Sequence, residues 1–193
     1  LHIIPLRLTE AIMSDTFGEP GLTSSLRARL AELWRTVLDL SVYIHEHIEV
    51  AGREVECCNR IVSVLKEWGL EVEERVAGLP TAFVASTGSR ACTRVALLCE
   101  YDGLPPYGQS CGHNVVSAAS VGAALTLLPF VSEAGLDVLV VGTPAEEGFG
   151  SKRDLADAGV FDDVDACLLI YPGMHDVAAS RTLFAQSYTL SFA

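Results

Sequence analysis

Three apolar runs in this chain end in residues able to do chemistry. "TRVALLCEYDGLP" ends in Glu100 and Asp102, "LDVLVVGTPAEEG" in Glu146 and Glu147, and "DACLLIYPGMHD" in Tyr171, His175 and Asp176. Between the first two lies "SCGHN", which sets Cys111 two residues before His113. Thiolate and imidazole are zinc ligands, and they also make a nucleophile with its base. On an extended backbone, residues two apart point the same way, so Cys111 and His113 can hold one ion or two neighbouring ions. A helix starting just after them would bring its N-terminal dipole close and help to keep the thiol ionised. Taken alone, so short a motif reads more readily as a buried cysteine beside a histidine that caps the turn. A nucleophilic pair fits less well, because its partners normally come from distant segments of the chain.

The two carboxylates of "TPAEEG" would diverge on a regular strand. In a bent loop after Pro144, Glu146 and Glu147 can reach one pocket with different tasks: one ligates a metal while the other takes a proton from water. As an isolated pair they would be a solvated acidic turn. Asp102 is either a carboxylate that orients a ligand or a turn residue before Gly103. His45 and His47, in "IHEHIEV", suit the C-terminal dipole of a helix. Cys57 and Cys58 read as core.

These residues need elements to position them. "SSLRARLAELWRTVLDLSVYIHEHI" carries Leu26, Leu30, Leu33, Trp34, Val37, Leu40 and Ile44 at helical spacing, which predicts an amphipathic helix. "REVECCNRIVSVLKEWG" predicts a second helix that stops at Gly69. Short β-like runs follow at "LEVEERV", "TAFVAST" and "TRVALLCEYD", then a small-residue helix over 114–129. The strand "LDVLVVG", a polar helix over 151–158 and the strand "DACLLIY" complete the series. Continuous apolar strands alternating with helices describe an α/β fold whose sheet is covered on both faces, with parallel pairing among the central strands. In such sheets ligands bind beyond the carboxyl ends of the strands, where the candidate residues sit.

Composition excludes several classes. The chain has 193 residues, enough for one domain with a substantial core. Its 25 acidic against 13 basic residues give a net charge of −12, a surface that repels phosphate backbones, so no nucleic-acid partner is expected. No apolar run approaches the length of a membrane span, and the N-terminus lacks the pattern of a secretory signal. The six cysteines form no CxxC pair and read as reduced thiols of a cytoplasmic protein. Residues 1–22 read as a tail. "AQSYTLSFA", at the other end, alternates like the start of a further strand, which suggests a cut through a larger protein.

"ALLCEYDGLP", "SCGHN" and "VVGTPAEEG" occur in an order and at a spacing that resemble the amidohydrolase branch of the dizinc aminoacylase and peptidase family. The combination is most similar to its β-alanyl-lysine-type dipeptidases and aminobenzoyl-glutamate hydrolases. "LPTAFVA" and the preceding helix pair fit the same template, so the resemblance covers about residues 26–193. It implies a zinc-exopeptidase-like three-layer αβα sandwich with a mostly parallel central sheet. Residues 23–182 would be the N-terminal part of the catalytic domain, and 183–193 the first strand of a lid and dimerisation domain.

The resemblance also implies two divalent metal ions, zinc or else manganese, and hydrolysis of an amide bond in a small N-acyl amino acid or dipeptide. The full-length parent would be a homodimer. Cys111, His113 and Glu147 fall on metal ligands, Glu146 on the general base, and Asp102 on the carboxylate behind a ligand. Three departures stand out, and in one the chain stops at the first lid strand, before the return to the catalytic domain that brings the family's last ligand histidine. Where the family carries a further ligand histidine, the simplest register puts Tyr171, and His175 reaches that place only through a shifted loop. Gln109 and Ser110 stand where relatives often have a His-Ala pair. The fragment by itself would be inactive, or the protein would be a non-catalytic homologue that binds through the retained fold.

Overall fold

The computed structural model of the chain describes residues 20–88 and 93–175. Most of the expected tail, Cys92, Asp176 and the expected lid strand 183–193 lie outside the described residues. The first helix, α1 (Pro20–Glu46), buries Leu33, Leu40 and Ile44 completely. Each such leucine or isoleucine contributes about 1.5–3 kcal/mol by leaving water. Trp34, one position round the helix from Leu33, lies on the flank and is 43% exposed. His45 sits in the last turn. His47, just beyond it, stacks its ring on Tyr43 with centroids 3.8 Å apart.

The second helix, α2 (Val55–Glu67), ends where Gly69 adopts a left-handed φ of 86° and donates its N–H to the Lys66 carbonyl. Only glycine takes that conformation without strain. Cys57 and Cys58 are buried, as expected of core residues. The strands β1 (Glu71–Glu74), β2 (Phe83–Ser86) and β3 (Thr93–Cys99) follow, with an unanticipated helical turn at Val76–Gly78 between the first two. Next come α3 (His113–Leu127), the short α4 (Val131–Ala134), β4 (Leu136–Gly142), α5 (Lys152–Asp157) and β5 (Ala166–Leu168).

The five strands form one sheet in the order β1-β2-β4-β3-β5. The central pair β3–β4 and the pair β3–β5 are parallel, while β1 and β2 close the other edge as antiparallel neighbours. Side chains alternate between two cores. Phe83, Leu97, Cys99, Val138 and Val140 face α1, α2 and α3. Ala96, Leu139, Val141 and Leu155 form the second core, on the opposite face, with Val76, Val160 and Phe161. Burial on both faces explains why β3 and β4 read as continuous apolar runs.

β5 departs from the expectation of a buried strand. Only Ala166–Leu168 pair with β3, and all three residues are exposed. The run is apolar, yet its place at the sheet edge leaves it uncovered among the described residues.

Register sets the geometry of the site. Cys99 pairs with Gly142, so the loops after β3 and β4 leave the sheet level with each other, and the Thr143 N–H donates to the Cys99 carbonyl at 2.9 Å. Leu97 pairs with Leu168. Tyr171, three residues past Leu168, is therefore level with Glu100, three residues past Leu97.

Candidate metal centre

His113 is the centre of the cluster. It is the first residue of α3 and fully buried, and Gly112 before it takes a left-handed φ of 78°. A Cβ on Gly112 would lie 2.5 Å from Pro172 Cγ, so the turn is closed against the segment after β5 and admits only glycine. The backbone here is not extended, and the expected same-side pointing of Cys111 and His113 does not arise. The helix start aims the imidazole instead.

The Nδ1–H of His113 donates to the Asp102 carbonyl at 2.8 Å and lies 3.2 Å from the Asp102 carboxylate Oδ1. The other Asp102 oxygen accepts the Glu147 N–H at 2.9 Å. One carboxylate thus orients both a histidine and the loop that carries the acid pair. Burial would raise the Asp102 carboxyl, but the bonds from His113 and Glu147 outweigh it and hold the group below its ordinary range. Burial would likewise lower His113, but Asp102 and the nearby Glu100 raise it above the usual imidazole value.

With its proton on Nδ1, His113 turns the Nε2 lone pair toward a ring of oxygens. Nε2 lies 3.3 Å from Glu100 Oε2, 3.7 Å from Glu146 Oε2 and 3.0 Å from the Tyr171 hydroxyl. Ligand atoms of His113, Glu146 and Glu147 all lie within 4.8 Å of one another. Glu146 is raised by burial and then by the charge of Glu100. Cys111 is half-buried, and the neighbouring Glu147 carboxylate, ahead of burial, raises its thiol to about 11. Tyr171 is raised by burial and by the charges of Glu100, Glu146, Cys111 and Glu147. His175 is exposed, and neither it nor Cys111 is among the three residues whose ligand atoms converge.

Two residues of the site were given no role by sequence reasoning. Glu100 is fully buried; its Oε1 is paired with the Lys152 ammonium, and its Oε2 lies against His113 without a hydrogen-bond donor. An acidic residue ending a buried strand was the signal available. Glu54 is also fully buried and left no local signal. Its Oε1 accepts the Gly52 N–H at 2.6 Å and the Ala145 N–H at 2.8 Å, and its Oε2 accepts the Thr81 hydroxyl at 3.1 Å. Ala145 carries a positive φ of 58°, a strained conformation for alanine. Glu54 thereby pins the bend that turns Glu146 and Glu147 into the site.

Four carboxylates face one lysine and one histidine here, and the buried Glu100 Oε2 lacks a donor. That donor set fits a divalent cation: one imidazole nitrogen, carboxylate oxygens and a thiol at the rim.

No family model matches the chain. Among curated proteins, it is 42% identical over 112 residues to the Xaa-Arg dipeptidase of Mus musculus, covering 52% of this chain and 26% of the relative. It is 32% identical over 153 residues to one of the subunits of the p-aminobenzoyl-glutamate hydrolase of Escherichia coli, covering 69% and 32% respectively. Among solved structures, it superposes on a dinuclear metal-binding peptidase of the M-20 family from Bacillus subtilis. The TM-score is 0.62 at 26% identity, over 73% of this chain and 42% of that one. The chain therefore spans between about a quarter and a third of these two curated relatives' length.

Proposed function

The chain belongs to the M-20 family of peptidases and amidohydrolases and matches the N-terminal part of its members, and we propose that the protein carrying it hydrolyses the amide bond of an N-acyl amino acid or a dipeptide with two divalent metal ions. The observation that carries this reading is the convergence of His113, Glu146 and Glu147, with Asp102 holding both the histidine and the loop. The relatives' names, a dipeptidase and an aminobenzoyl-glutamate hydrolase, supply the substrate class. Zinc is the preferred ion because thiol, imidazole and carboxylate together suit it.

His113, Glu147 and Cys111 would hold the ions. When bound, such ions polarise the scissile carbonyl and make water more acidic. The chain's own residues do the rest. Asp102 keeps the proton on His113 Nδ1 and so reserves Nε2 for ligation. Glu146, raised by its surroundings, takes a proton from the attacking water and delivers it to the departing amine. Lys152 offsets part of the charge of Glu100 beneath the site. The free cysteines at 57, 58, 99, 111 and 167 are consistent with a cytoplasmic setting.

Glu146→Gln tests the mechanism. Hydrolysis of acyl-amino acids or dipeptides by the protein that carries the chain should fall by about 10²–10⁴-fold, with metal content unchanged by elemental analysis. Unimpaired turnover would remove Glu146 from the mechanism. A second reading, binding without turnover, is favoured by the Tyr171 hydroxyl against His113 Nε2. It predicts that substrate amides bind the unaltered protein and are never cleaved.

A further inference from the structure

The nitrogen through which His113 would bind a metal already has a neighbour. With its proton shared toward Asp102, the imidazole has only Nε2 free, and the Tyr171 oxygen lies 3.0 Å from it. Any ion seated on Nε2 must displace this phenol or be bound by it. From these contacts we propose that Tyr171 is itself a metal ligand, its phenolate oxygen sharing an ion with His113 Nε2. The inference rests on the metal reading of the site given above.

Three observations favour ligation over displacement. The first is spacing. Two donors about 2.0–2.1 Å from one tetrahedral ion are about 3.3 Å apart, and the observed separation is close to this. Glu100 Oε2 meets the same condition at 3.3 Å from Nε2. The second is fixation. The Tyr171 ring stands edge-on to the imidazole at 84° with centroids 5.9 Å apart, and Pro172 is wedged against the Gly112 turn. Swinging the phenol away would break its contact with the imidazole, and the Pro172 packing holds the backbone of Tyr171 in place. The third is charge. Glu100 is completely buried; its Oε1 is paired with the Lys152 ammonium, while its Oε2, on the side of His113 that the phenol faces, has no hydrogen-bond donor. A cation between these groups supplies the charge that carboxylate and phenolate both need. Ligation exchanges the phenol proton for the ion, and the proton leaves to solvent. A metal ion stabilises the ionised form of its ligand strongly enough to achieve this near neutral pH.

The test uses zinc itself. The metal-free 193-residue chain is titrated with zinc at neutral pH. Bound zinc is counted by elemental analysis, and the near-ultraviolet difference band of ionised tyrosine is followed in parallel. The chain has five tyrosines, so Tyr171→Phe, which keeps the ring, identifies the one that responds. The expected result is tyrosinate growing in step with bound zinc. Tyr171→Phe should lack the band and bind zinc at least about tenfold more weakly, with an unchanged circular dichroism spectrum. Zinc bound without tyrosinate would overturn the inference and leave the metal centre standing. Zinc bound by Tyr171→Phe but not by the unaltered chain would overturn it in favour of a phenol that plugs the site. No zinc on either protein would overturn the inference together with the metal reading.

Discussion

Asp102 illustrates how one side chain serves two partners. Its backbone oxygen and Oδ1 meet the His113 ring, while Oδ2 receives the Glu147 N–H. Asp102→Asn removes the charge that favours a proton on Nδ1 and presents an amide where an acceptor is needed. Metal affinity should fall by about 10–100-fold, the usual cost of losing a partner behind a histidine ligand. Competition with a chromophoric chelator measures it. An unchanged affinity would mean that the backbone carbonyl alone orients the ring.

The loop after β4 is held from a distance, by the residue just before α2. Glu54 supplies both oxygens to it and its surroundings, and without them three donors lose their acceptor: Gly52 N–H, Ala145 N–H and the Thr81 hydroxyl. Glu54→Ala should cost about 1–3 kcal/mol for each buried donor left unsatisfied, read as a lowered urea midpoint. Glu54→Gln keeps one carbonyl oxygen for the two N–H groups and should recover most of that loss. If Gln and Ala behave alike, the negative charge matters more than the acceptor geometry. The Asp102 and Glu54 effects should be separable. Glu54→Ala lowers stability first, whereas Asp102→Asn acts chiefly on metal affinity.

Among the described residues the sheet is buried at its centre and exposed at both edges, β1 and β5. β4 is buried on both faces, yet Leu168, Leu169 and Ile170 are exposed and Met174 is 94% exposed. Among the described residues β5 is an apolar edge strand, and such a strand invites pairing with another chain. The 193-residue chain is therefore expected to self-associate in a concentration-dependent way. Leu168→Lys should shift it toward monomer in sedimentation velocity, with little change in thermal midpoint. Association unaffected by that change would place the contact elsewhere.

Much of this organisation was legible in the residues. Leucines at helical spacing marked α1, Gly69 marked the end of α2, and the apolar runs of β3 and β4 marked strands covered on both faces. Local periodicity and turn chemistry suffice for these, because each depends on neighbours a few positions away. The strand-end acids and "CGH" stood out for the same reason. The helical turn at Val76–Gly78 and the exposure of β5 were not legible. The first rests on left-handed residues that are not glycine, Arg75 and Ala77, and the second depends on what covers an edge.

Only the tertiary structure joined Glu54 to Ala145, Asp102 to His113 and Tyr171 to His113. These contacts span 91, 11 and 58 positions, and the last depends on strand register. Pairing Cys99 with Gly142 and Leu97 with Leu168 brings three strand ends level at one edge of the sheet. The types of the reactive residues are a property of the chain, but their distances follow from backbone hydrogen bonds between segments that carry no local record of each other.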